Sequence, residues 1–534
     1  MAALPMDNME ILLNSTWRRT LVIGGSAALC LIYVLVAGLL FVASVFGERP
    51  ELASLQWAEH LDARTWWRAA RDADYSNHVG RYYALVAQDQ AAAIEPYRTA
   101  AQLNPYSARY WFDLASAYQV LGDTSNQSWA LEHAIEADPT TPDVAWEAAN
   151  FYLVQGDKEK ALREFRVVLQ NEPALAPLAI QFCWRINPDV DSLLRDVVPA
   201  RSEAYIAFLA LLMTPKKVDL SDTTAPSNPS GNRWVYTLAG ADTHAESNAW
   251  VGSLVTLSGY TSIAAGNNVT AAITASTPTT IEIANPAGTK ANAGTPVLMI
   301  SRVVADSPVP ATNSAKRETE ATAKVWAALM ATPQIFEQPS VYAYVKYLLD
   351  HKDVDQARLV WRQAAQRFGL SSYLPTRDNL IVNGDFNLDV LNGGFDWQYE
   401  KQQSVTLNLD STDFHSGHRS LLITFDGPGV GDAGIRQFIA VQPDTRYEFS
   451  AYYKIGEMEG AGAPHLTIQD DYTQAIVYDS DELKEAGFWK SATGEFTTGA
   501  DTTLLVLHVR RLPAGSPIRG KLWVDDFRLV AKRQ

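Results

Sequence analysis

Apolar and polar positions along this chain change their period several times, and each change marks a different kind of element. From Thr20 to Gly47 no charged residue interrupts the run LVIGGSAALCLIYVLVAGLLFVASVF. Between residues 50 and 213 the apolar positions recur at helical spacing, three to four residues apart, as on a buried helix face. Residues 214–232 (TPKKVDLSDTTAPSNPSGN) lose that period and collect Pro, Ser, Thr and Asp, a composition that predicts a linker. Residues 233–303 give short β-prone runs (WVYTL, LVTLSGY, TTIEIA, PVLMIS) broken by turn signals, predicting a small all-β insert. Helical spacing returns over 304–375, with Tyr347, Ala357, Trp361 and Ala364 restoring the earlier pattern. From 376 to 534 apolar and polar residues alternate with period two in runs such as SLLITF, RYEFSAYYKI and TLLVLHV, at the spacing of a β-sandwich.

The first helical stretch carries an internal repeat. Pro105, Pro139 and Pro173 lie 34 residues apart. Trp111, Leu114, Ala115, Tyr118, Gly122, Leu131 and Ala134 are matched at nearly the same offsets by Ala145, Ala148, Ala149, Tyr152, Gly156, Phe165 and Val168. Small residues at fixed offsets let two helices approach, and the larger ones fill the space between them. Gly122-Asp123 and Gly156-Asp157 suit a tight interhelical turn. This spacing resembles the tetratricopeptide-repeat family, with a half unit before it (Ala93, Tyr97, Ala100) and degenerate helices after it. Gln127 stands where the family prefers alanine. The resemblance implies a helical solenoid whose groove holds a protein partner.

The leading apolar run is longer than the ~7–15 residues of a cleaved signal peptide and long enough to span ~30 Å of hydrocarbon. It predicts an uncleaved single-pass transmembrane helix over 20–47. Arg18 and Arg19 precede it and Glu48, Arg49 and Glu51 follow it, so the charge rule places residues 1–19 in the cytoplasm and the bulk of the chain in the periplasm, across an inner (cytoplasmic) membrane. The net charge of -16 opposes nucleic acid as a partner, because both are polyanions. The two cysteines, Cys30 and Cys183, fall in the apolar span and in a predicted helix, which leaves no plausible disulfide.

The last block carries NLIVNGDFN, GFDWQ, HSGHRSLLITF, VQPDTRYEFSAYYK and LWVDDFRL in that order. Together they resemble the carbohydrate-binding modules of the galactose-binding-like jelly-roll superfamily. The resemblance implies a glycan-binding face, and sugar chemistry indicates the residue types. Pyranose rings stack on aromatic rings while their hydroxyls bond to amides and guanidinium groups. Trp397, Tyr399, Tyr453 and Trp489 are the aromatic candidates, with Arg436 and Gln437 as polar partners. The resemblance also implies a structural Ca2+ where the first and last strands meet. Its ligands would be Asp385 and Asn387 with Asp525 and Asp526, although relatives commonly have glutamate at the place of Asn387.

No nucleophile elbow, H-E-x-x-H, P-loop or dinucleotide fingerprint occurs in a suitable context. His415 and His418 read as a surface turn, and so do the carboxylates around Asp470, Asp471, Asp479 and Asp481. The expected molecule is a multidomain α + β protein. It comprises a transmembrane helix, a repeat solenoid interrupted by a β insert, and a terminal jelly roll. It is expected to act as a non-enzymatic periplasmic scaffold that binds protein and glycan, in surface polysaccharide (exopolysaccharide) assembly or export. A glycoside hydrolase or other glycan-processing enzyme is the first alternative. A purely protein-binding assembly factor is the second.

Overall fold

The computed structural model of the chain describes residues 16–48, 72–240, 247–306, 314–484 and 487–532. Its contacts divide it into residues 1–175 and 176–534, and each part is described by itself.

In the first part the 34-residue period becomes repeated helical hairpins. Ala108–Leu121 pairs with Thr124–Ala137, and Pro142–Gln155 with Lys158–Asn171, after the preceding helix Gln90–Leu103. Each hairpin turns in the same way. Gly122 and Gly156 take φ of 75° and 81°, a left-handed conformation that costs a residue with a Cβ ~1–2 kcal/mol. The next residue, Asp123 or Asp157, then caps the following helix by accepting from Asn126 N (3.1 Å) or Lys160 N (3.0 Å). Trp111 donates from Nε1 to the Pro105 carbonyl at 2.9 Å, which ties the repeat's proline turn to the helix after it. Gln127, at the position of Ala161 one repeat later, is buried with its amide nitrogen unpartnered.

A separate helix runs Thr16–Glu48. Among the described residues no helix is long and apolar enough to cross a membrane. In Thr16–Glu48 the side chains described without a break are those of 23–35, all exposed, so the span read over 20–47 lies partly outside the described side chains. Residues 1–15 of the N-terminal segment and residues 50–71 of the first helical block also lie outside them.

The second part opens with helices Ala176–Ile186, Val190–Asp196 and Ser202–Met213. An antiparallel seven-stranded sheet follows: β1 Lys216–Asp219, β2 Ser227–Ser230, β3 Arg233–Thr237, β4 Leu254–Tyr260, β5 Val269–Thr277, β6 Thr280–Ala284 and β7 Gly294–Ile300, ordered β1-β7-β4-β5-β6-β3-β2. A bridge from Leu220 to Leu238 joins the end of β1 to the end of β3 and curls the sheet back on itself around Trp234, Tyr236, Trp250 and Ile283. The stretch 214–232 is therefore not a free linker, because it supplies β1 and β2. Its Pro and Ser content disguised them: both are edge strands, where a missing donor and polar side chains are tolerated.

Helices Ser314–Ala331, Gln338–Asp350 and Val354–Phe368 follow, and Ser202–Met213 packs on the first two. Ser202 N donates to Gln334 Oε1 at 2.6 Å, so helical segments on both sides of the sheet form one layer.

The terminal sandwich has two antiparallel sheets. One is ordered β15-β12-β17-β10-β9, from β9 Val405–Asp410, β10 Ser420–Gly427, β12 Arg446–Gly460, β15 Lys490–Thr497 and β17 Ile518–Ala531. The other is β14-β13-β16-β11-β8, from β8 Gln398–Tyr399, β11 Asp432–Ala440, β13 Pro464–Asp470, β14 Ile476–Asp479 and β16 Leu504–Arg511. Alternate residues such as Leu466, Ile468, Leu505, Leu507, Phe449 and Leu522 fill the space between the sheets. The helical layer docks on the loop before β8. A Cβ on Gly393 would meet the Tyr342 ring and one on Gly394 the Trp361 ring, both under 3.0 Å, so the paired glycines are what permit this approach. Tyr373 Oη donates to the Asp389 carbonyl (2.8 Å) and Tyr472 Oη to the Leu349 carbonyl (2.9 Å) at the same junction.

Candidate functional site

In β16 the residues Leu505, Leu507 and Val509 point into the core, so Val506, His508 and Arg510 stand on the opposite, outward face. Register then fixes their neighbours: His508 lies between Arg436 on β11 and Thr467 on β13, and Arg510 lies opposite His465. Over this face opens a cavity of about 370 Å³ lined by Asp432, Gln469, Gln474, His508, Arg510 and Arg511, with Gly431, Leu512 and Ala514 at its rim. That is within the ~300–1,000 Å³ of small-molecule clefts.

Its polar groups are held in place by one another. His508 Nδ1 is 2.8 Å from Asp432 Oδ2, while Asp432 Oδ1 accepts from Gly434 N at 2.8 Å. A carboxylate can only accept, so Nδ1 carries a proton, and when the ring holds no second proton Nε2 presents a bare lone pair. Nε2 has no partner. Arg510 donates to Gln469 Oε1 (3.2 Å), and Gln469 Nε2 donates to Gln474 Oε1 (2.8 Å). Behind them Arg511 is 2% exposed, and its guanidinium bonds only main-chain carbonyls, those of Ala461, Gly462, Ser516 and Pro517. Burial holds its pKa below the usual arginine value. Orienting donors and acceptors on a rigid sheet can read the hydroxyls and substituents of a small polar ligand.

The family model described as "Carbohydrate binding domain" matches residues 378–514. The sandwich is a carbohydrate-binding module. Among solved structures the chain is similar to a CBM4 module (16% identity over 28% of this chain and 99% of that one, TM-score 0.23). It is similar too to the CBM22-1 xylan-binding domain from Paenibacillus barcinonensis Xyn10C (17%, 30% and 98%, TM-score 0.22) and to MamA (16%, 29% and 86%, TM-score 0.24). No curated protein matches the chain.

The six residues expected to bind sugar do not share a face of this carbohydrate-binding module. Trp397 is 1% exposed, stacked on Phe386 and edge-on to Phe527, with Nε1 donating to the Asn383 carbonyl at 3.0 Å. It is a core residue, because the indole fills the space between the sheets. Gln437 is fully buried and clamps Val382 at both ends, accepting from its N (2.9 Å) and donating to its O (2.8 Å). The opening segment, lacking a strand partner there, needs that side chain, so Gln437 is not a ligand group. Tyr453 is half-buried on the other sheet and packs against the core. Trp489 is half-buried beside His415, 5.8 Å between rings, next to the Tyr452 ring that stacks on His415. Tyr399 is 51% exposed at the end of edge strand β8. Arg436 is exposed on the cavity face, its guanidinium over the Phe438 ring. Of the six, only Arg436 is a register neighbour of the cavity. Asp432, Gln469, His508 and Arg510 were missed, although His and Arg two apart in LLVLHVRR mark a polar face on an otherwise apolar strand.

The residues expected to hold Ca2+ do not fit as a ligand set. Asp525 Oδ2 accepts from His415 N (2.8 Å) and Ser416 N (3.1 Å), and Oδ1 accepts from Asp526 N (2.8 Å). Both of its oxygens are thus occupied by main-chain donors, and burial pushes this carboxyl up to about 6. Asp526 bonds His415 and Ser416, and Asp385 bonds Asn387 (2.8 Å). The carbonyls of Phe386 and Asn387 are taken by the Arg419 guanidinium at 2.7 and 3.0 Å. Among the described residues no three His, Cys, Asp or Glu side chains converge as a metal site. The strand junction is held by an arginine and main-chain amides.

Proposed function

We propose that the chain is a membrane-anchored periplasmic scaffold whose terminal module binds a polysaccharide in the cavity over β11, β13 and β16. The observation that carries this reading is an open polar cavity on a domain that matches a carbohydrate-binding family. The reading is of binding without turnover. Glycoside hydrolysis needs two carboxyl groups facing each other, whereas the cavity lining offers one, Asp432, already bonded to His508 and Gly434. Anchoring by 20–47 is supported by the uncharged apolar run and by the exposure of every described side chain from 23 to 35, a surface that water disfavours. A protein partner on the tetratricopeptide-like hairpins is supported by the hollow of about 270 Å³ that Glu132, Tyr152, Lys160 and Glu164 line. An anchor, an adaptor and a sugar module in one chain suit assembly or export of a surface polysaccharide.

Affinity electrophoresis of the full chain in detergent through gels containing neutral and acidic polysaccharides tests the central part. At least one polymer should retard the chain, and Gln469→Ala combined with Arg510→Ala should abolish the retardation. Equal retardation of the variant would place the site elsewhere.

A further inference from the structure

The cavity lacks what a neutral sugar ring would use most. Among the described residues no Phe, Tyr or Trp lines it, and its apolar share is Leu512 and Ala514. Stacking on an aromatic face, the usual way to hold a pyranose, is therefore absent here. Charge stands in its place. Arg510 lines the cavity with a single side-chain bond, to a neutral amide, and among the described residues no carboxylate pairs with it. Arg511 lies beside it, also without a carboxylate among the described residues, its charge met only by carbonyl dipoles. One carboxylate, Asp432, opposes these two guanidinium groups, and it is committed to His508. The cavity is a cationic hollow on a chain whose net charge is -16.

His508 supplies an independent pointer to a ligand. The residue is 9% exposed, yet among the described residues Nε2 has no partner, and the residue lines the cavity. A buried nitrogen left without a hydrogen bond is costly, and a ligand hydroxyl would satisfy it.

We propose that the cavity takes an anionic sugar, specifically a carboxylated (uronic acid) unit of an acidic polysaccharide. The carboxylate lies on the fork of Arg510, whose planar donors match it two-to-two, and the field of Arg511 strengthens the pairing. A ring hydroxyl donates to His508 Nε2, and the Gln469–Gln474 amides, which also orient Arg510, face the remaining hydroxyls. This specificity rests on the glycan-binding reading above and narrows it to a substrate class.

The test is calorimetric titration of the full chain in detergent with three probes: a polyuronate oligomer, the same oligomer with its carboxyls reduced to alcohols, and a sulfated neutral oligomer. Neutral glucan and xylan oligomers complete the panel. The expected result is binding of the polyuronate that weakens at least roughly tenfold on carboxyl reduction. Arg510→Gln should cause a similar loss for the polyuronate and little change for the reduced oligomer. Arg510→Lys, which keeps the charge without the fork, should recover part of the affinity, and Arg233→Gln on the distant sheet should change nothing. Melting curves check that each variant is folded. Equal or tighter binding of the reduced oligomer overturns the acidic specificity and leaves the glycan reading standing. Preference for the sulfated oligomer overturns the carboxylate assignment, and binding to no member of the panel overturns both readings.

Discussion

Asp396 is 0% exposed, beneath the loop where the helical layer meets the sandwich, and only one of its oxygens is used. Oδ2 accepts from Leu391 N at 2.7 Å, while Oδ1 has no partner among the described residues. Burial pushes its carboxyl up to about 7, against the opposing pull of main-chain donors at Leu391 and Trp397. The pKa is raised on folding, so the folded state holds its proton in a range where the unfolded state has lost it. Stability from this group is therefore full below pH ~4, falls as pH rises to about 7, and changes no further above that. A displacement of about 3 pKa units corresponds to roughly 4 kcal/mol at ~1.4 kcal/mol per unit, as an upper bound. Asp396→Asn removes the titration while keeping an acceptor for Leu391. Relative to the natural chain, the variant should gain roughly 2–4 kcal/mol between pH 4.5 and 7.5. Hydrogen exchange of amides in 389–399, compared between variant and natural chain at each pH, reads the difference locally, since a chain of several domains does not unfold in one step. A difference that stays flat with pH, or that shrinks as pH rises, would refute the argument.

Two further outcomes follow from contacts already described. Gln437→Ala leaves the Val382 N–H and carbonyl buried and unpaired. It should cost roughly 2–5 kcal/mol, seen as faster exchange over 380–384 and a lower melting temperature; an unchanged melting temperature would mean that the clamp is dispensable. Gly156→Ala forces a Cβ into a left-handed turn at φ 81° and should destabilise the hairpin by about 1–2 kcal/mol in circular-dichroism melts, with Gly122→Ala behaving alike.

The hairpins were legible because their signal is redundant: Gly-Asp turns, prolines and small residues recur at one spacing, and each has a local cause. The sandwich was legible for a similar reason, since period two runs through strands such as β10 and β15. β1 and β2 were not, because an edge strand leaves half its main chain unpaired and its composition imitates a loop. The site failed for a different reason. Aromatic identity does not reveal which face a ring occupies: Trp397 went to the core as large apolar groups usually do, while Tyr453 packs half-buried against it. Gln437 looked like a ligand group but satisfies the main chain. The cavity residues could have been found by following alternation through β16, where core leucines and valines leave His508 and Arg510 outward. What no single strand discloses is the meeting of Asp432, Gln469 and His508, which depends on how β11, β13 and β16 are set side by side.

The seven-stranded insert begins and ends on neighbouring strands, with Lys216 opposite Ile300. Residues so paired lie ~4.5–5.5 Å apart, little more than one step of backbone. The helical layer is thus cut at a single point, and a peptide of two or three residues would close the wound without moving a helix. Seen this way the insert is a cassette, so duplication, loss or replacement of it by another fold could proceed while the rest of the protein kept its shape.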